Sequence, residues 1–97
     1  MKQIERDMIK AIQGRQNFRK GNTQVIFAEG ETGRAWWCNV YLYGNHIAEF
    51  DEMTWKATVN KDTLRAWPTV TTKSRLRALG ADVSTQAGVT YLDGQPV

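Results

Sequence analysis

The apolar positions of the chain change period twice. From Lys2 to Gln13 they recur at helical spacing, with Ile4, Met8, Ala11 and Ile12 on one face and Glu5, Arg6, Asp7 and Lys10 left for water. Gly14 follows where a left-handed residue would end the helix. RQNFRKGN (15–22) carries no period and reads as a basic connection anchored by Phe18. From Thr23 the period is two. TQVIFA reads as a strand, EGETG as a turn, and RAWWCNVYLYGNHIAEF as a hairpin. Its two-residue loop is Gly44-Asn45, whose leading glycine suits a type II′ turn. TWKATV is a further strand with Trp55, Ala57 and Val59 on one face. Asn60-Lys61-Asp62 then turns the chain, and Leu64 to Trp67 run extended up to Pro68.

Helical spacing returns in WPTVTTKSRLRALG, Trp67 to Gly80. Thr71 or Thr72 is the expected cap, Leu76 and Leu79 mark the buried side, and Gly80 ends the helix. Arg77 falls near the outward side, with Lys73 and Arg75 flanking the apolar stripe. In the last segment, Asp93-Gly94 is a type I′ hairpin signal between VTYL and QPV. The pattern predicts one α+β domain over 1–97. It has an N-terminal helix, a mostly antiparallel meander of three to four strands, a short second helix over about 71–79 and a C-terminal β-hairpin.

Composition adds constraints on chemistry. The 97 residues suit one domain with a modest core. The net charge of +3 is mildly basic and speaks to partners rather than fold. Cys38 is the lone cysteine, so no internal disulfide forms. Charges run through Met1 to Gly14, leaving no signal-peptide core, and no stretch approaches the ~20 apolar residues of a membrane span. The expected setting is cytoplasmic, away from membranes.

Pairing across Gly44-Asn45 separates two faces of the hairpin. Trp36, Cys38, Val40, Leu42 and Ile47 make a core face; Trp37, Asn39, Tyr41, Tyr43, His46 and Phe50 make an aromatic and polar one. Such a face can stack nucleobases or dock a protein, and it can equally be core under a helix. Cys38 and His46 lie roughly 17 Å apart along the hairpin at ~3.3 Å per residue, out of reach as a nucleophile–base pair. One His and one Cys make no zinc site. No phosphate-binding loop or acid/base spacing stands out, so neither an enzyme nor a cofactor is expected. Two basic clusters remain: Arg15, Arg19 and Lys20, and then Lys73, Arg75 and Arg77. With Thr72 in its first turn, the second helix reads either as a phosphate grip or as a capped surface helix.

GNTQV (Gly21 to Val25), VYLYGNHIAEF (Val40 to Phe50) and WPTVTTKSRLRALG, followed by GVTYLDGQPV, resemble a group of small proteins encoded by tailed bacteriophages. Those proteins look alike in a GNTxV strand, a YLxGNxIA hairpin and a WxTxTT[KR]SRLxAL helix. The resemblance implies a viral accessory protein acting in the host cytoplasm and brings no catalytic residues. The expected function is non-catalytic binding of a host protein, such as inhibition of a defence or a host enzyme. The alternative is nucleic-acid binding through the aromatic face and the basic helix. The oligomeric state is open, a homodimer included.

Overall fold

The computed structural model describes residues 1–29, 36–51 and 56–97. Most of the EGETG turn, the side of the sheet taken by Trp36, and Trp55 lie outside the described residues and side chains. The architecture is the α+β arrangement the periodicity predicts. Three helices, α1 (Gln3–Gln13), α2 (Lys61–Ala66) and α3 (Val70–Ala78), accompany two antiparallel sheets. The first sheet is a meander of β1 (Phe18–Lys20), β2 (Thr23–Glu29), β3 (Trp36–Leu42), β4 (Asn45–Asp51) and β5 (Ala57–Val59), in that order. The second is β6 (Val83–Gln86), β7 (Val89–Leu92) and β8 (Gln95–Pro96).

Met8 and Ile12 of α1 are buried as their spacing requires, but Glu5 is buried with them instead of facing water. Gly14 is not left-handed; its φ is −84°, and Arg15 takes the left-handed position at +54°. A Cβ on Gly14 would sit 3.3 Å from the Lys10 carbonyl, so the glycine serves close approach at the helix end. The basic connection is in part a strand, since Phe18–Lys20 pairs with Thr23–Val25 and extends the sheet by one edge.

The β3–β4 turn is Tyr43-Gly44, not Gly44-Asn45. Both residues have positive φ, 51° and 79°, which makes the turn type I′. The pairing also shifts by one residue between Val40 and Tyr41, so that Cys38 opposes Phe50, where a regular ladder from Gly44-Asn45 would set it against Asp51. A one-residue slip moves a side chain to the other face. Phe50 therefore joins Cys38, Val40 and Ala48 in the core and leaves the aromatic face.

The segment expected to turn and run extended is the helix α2. Asn60 caps it by accepting the Thr63 N–H at 3.2 Å, and Leu64 is its one buried residue. Pro68 forbids continuation, and Trp67 leaves helical geometry at φ −134°. The cap of α3 is Thr69 rather than Thr71 or Thr72; it accepts the Thr72 N–H at 3.1 Å. Gly80 is left-handed, as expected, at φ +91°. Asp93-Gly94 forms its type I′ turn, and Ala87-Gly88 forms a second one that adds β6 to the expected hairpin.

The core lies between one face of the large sheet and the helices, with Met8, Ile12, Leu64 and Leu76 packed on Val25, Val40 and Ile47. The opposite sheet face is not covered by any described helix. Register sets three rows across it: Arg19, Gln24, Tyr41, His46; then Ile26, Asn39, Glu49, Thr58; then Ala28, Trp37, Asp51.

Candidate functional site

Two places gather the residues singled out by the sequence, and they differ in kind. The first is a polar knot inside the fold. Arg75 of α3 is 3% exposed, and its Nη1 meets the Glu5 carboxylate of α1 at 2.7 Å. The Ser74 hydroxyl donates to the same carboxylate oxygen at 2.6 Å. The Lys2 backbone N–H reaches its other oxygen at 3.2 Å. Arg75 Nε donates to the Thr23 hydroxyl at 3.0 Å, and that hydroxyl donates to the Asn22 side-chain oxygen at 2.8 Å. GNT and KSR, far apart in the chain, thus meet at Arg75, which holds Asn22 and Thr23 on one side and Glu5 on the other. A buried ion pair persists only when its remaining hydrogen-bonding capacity is met in this way. Burial alone would raise the Glu5 pKa. Hydrogen bonds from Ser74, Arg75 and the Lys2 N–H, with the Arg75 charge, bring it below the ordinary carboxylate value.

The rest of the basic helix is committed similarly. Lys73 is buried and its ammonium donates to the Thr85 hydroxyl of β6. Arg77 Nε donates to the Val83 carbonyl at 2.7 Å. Thr72 is buried, sharing a hydrogen bond with the Thr69 hydroxyl at 2.9 Å. The structure does not assemble Lys73, Arg75 and Arg77 into a surface patch. Nor does the other cluster stay together: Lys20 pairs with Asp7 at 2.8 Å, Arg19 lies on the open face at β1, and Arg15 lies in the bend after α1. The Lys20 hydrogen bond is the leading reason that the Asp7 carboxyl lies below its usual value.

The second place is the open sheet face. It brings together Trp37, Tyr41 and His46, all of which the hairpin pattern had put there. Trp37 is 37% exposed, and Tyr41 and His46 pack edge-to-face with ring centroids 5.5 Å apart. Tyr43, at 73% exposure, stands in the turn at the end of the face. Ile26, 39% exposed beside Asn39, completes it; the alternation Gln24, Ile26, Ala28 against Thr23, Val25, Phe27 carries that signal. His46 is held by two neighbours. Asn60 Oδ1 is occupied by the Thr63 N–H, so its amide nitrogen donates to His46 Nδ1 at 3.0 Å. His46 Nε2 lies 2.9 Å from Asn39 Oδ1, an acceptor, and donates to it. Both ring nitrogens are engaged, and the ring is a fixed part of the surface.

Cys38 lies on the core side of the same strands, fully buried. Desolvation pushes its thiol up to about 11. We expect Cys38 to resist a thiol reagent such as dithionitrobenzoate at pH 8 in native protein, and one equivalent to react promptly in denaturant. Stoichiometric reaction without denaturant would contradict that burial.

Glu5, Asn22 and Thr23 were not singled out as site residues by the sequence pattern. Their partners lie up to 70 residues away, and a helical wheel assigns Glu5 to solvent. Among the described residues no helix is long and apolar enough to cross a membrane. No curated protein and no solved structure matches the chain. Its sequence matches a family of bacteriophage proteins over the full length, residues 1–97, and on that match the chain belongs to the Kyanoviridae Gp96 protein family.

Proposed function

We propose that this phage protein acts without catalysis, by docking a host protein on the open face of its large sheet. The observation that carries the reading is the surface made by exposed Ile26 and Trp37 with half-buried Tyr41, on a face that no described helix covers. Rigid aromatics on a sheet are the residues that anchor protein interfaces, and Asn39, Glu49 and Thr58 supply a polar surround. A phosphate backbone suits the face less well. Glu49 and Asp51 stand on it, and Lys20, Lys73, Arg75 and Arg77 all have partners within the protein.

The test is a pair of variants. Trp37→Ala is expected to weaken a purified host partner by ~2 kcal/mol or more, about thirtyfold, with little change in melting temperature. Arg77→Ala is expected to leave binding within about threefold. An affinity unmoved by Trp37→Ala would contradict the reading. So would tight binding of single-stranded DNA that falls steeply with salt.

A further inference from the structure

We infer that the edge of β5 that no described strand pairs is a strand-addition site for an extended protein segment with alternate apolar side chains and an acidic residue near Lys61. This site is separate from the open face and stands without it. β5 closes the sheet order, so β4 pairs with only one of its sides. The Asn60 N–H bonds the Ile47 carbonyl of β4 at 2.8 Å. Backbone groups alternate in direction along a strand. Thr58 therefore turns its N–H and C=O toward β4, whereas Ala57 and Val59 turn theirs away.

Beyond that edge is a cleft of about 270 Å³, lined by the strand itself and by Ala81 and Leu92, with Lys56 and Lys61 at the strand's two ends. Ala81 and Leu92 belong to the core cluster, so the cleft reaches apolar surface beside the sheet. An added strand would hydrogen-bond Ala57 and Val59. Its alternate side chains would fall on the side of Ala81 and Leu92, where apolar groups are wanted. Lys61 selects one end. Among the described residues, Lys61 is exposed and makes no ion pair, and Asp93 is the one carboxylate lining the cleft. Charge complementarity thus favours an acidic residue at the Lys61 end of the guest. Lysines flanking a short edge also discourage indiscriminate pairing, which is consistent with a selective site.

The probe is the peptide acetyl-Glu-Val-Thr-Val-Glu-amide, titrated into the ¹⁵N-labelled full chain. The expected result is saturable shifts confined to Ala57–Val59 and the Ala81 and Leu92 neighbourhoods. They should vanish for a peptide N-methylated at both valines, which keeps every side chain but loses the ladder donors. Lys61→Glu should weaken binding by at least about threefold. That position opens α2, where an acidic residue is tolerated, so the variant should fold. Equal binding of the N-methylated peptide, or of the version with lysine for glutamate, would overturn the proposal. Shifts elsewhere, no shifts at millimolar peptide, or concentration-dependent self-pairing through β5 without peptide would also overturn it.

Discussion

Arg75→Ala should lower the unfolding free energy by roughly 3–5 kcal/mol, measured by urea denaturation at pH 7. For a domain of this size, each kcal/mol moves the melting temperature by about 4–8 °C. The reason is what remains behind. Glu5 would keep only the Ser74 hydroxyl and the Lys2 N–H while still buried between α1 and α3. Thr23 and Asn22 would lose the donor that ties β2 to α3. Acid provides a second readout. The folded Glu5 pKa is depressed, so its contribution is present above the unfolded value of about 4.3 and is lost as pH falls through the lower folded value. In Arg75→Ala, burial acts on Glu5 with less opposition, so that part of the acid dependence should flatten. A change below 1 kcal/mol would mean that the side chain is not in the knot.

Leu64→Ala is expected to cost ~2–5 kcal/mol, the range for emptying a well-packed leucine site. Leu64 is 1% exposed and is the one buried residue through which the six-residue α2 holds to the sheet. So short a helix has little stability of its own, and packing must supply it. The contrast is Val70→Ala, also on the α2–α3 side but largely exposed, which should stay within about 0.5 kcal/mol. Comparable losses at both positions would point to a different packing of this region.

The local signals were legible where one residue type decides the backbone. Asp93-Gly94 and Gly80 took their expected positive φ, and Ile4–Met8–Ile12 spacing placed α1. Periodicity failed where tertiary context decided. Phe50 changed faces because of an irregularity at Val40/Tyr41 that no composition signals. α2 was hidden because Asn60-Lys61-Asp62 suits a turn as well as a capped helix start. Trp37, Tyr41 and His46 were placed together correctly, because alternation on β3 holds and the pairing next to the turn moves by two residues, which keeps His46 on the face of Tyr41. The basic helix misled for a different reason. Helical angles put Arg75 and Lys73 beside the apolar stripe, and a charge there can snorkel to water or find a buried partner. Only the chain's long-range path, which brings Glu5 and Thr85 alongside, decides for the partner.

On this account Arg75 of KSR joins Glu5 of α1 to Asn22 and Thr23 of GNT and so locks two helices to the sheet, and recognition is left to the sheet's surfaces. A double-mutant cycle of Glu5→Met and Arg75→Met, by urea denaturation at pH 7, tests that claim most directly. The account predicts each single change to be strongly destabilising and the double far less so than their sum, with a coupling of about 1.5–3 kcal/mol. Additive effects, with coupling below ~0.5 kcal/mol, would contradict the lock and return Arg75 to the candidates for external contact.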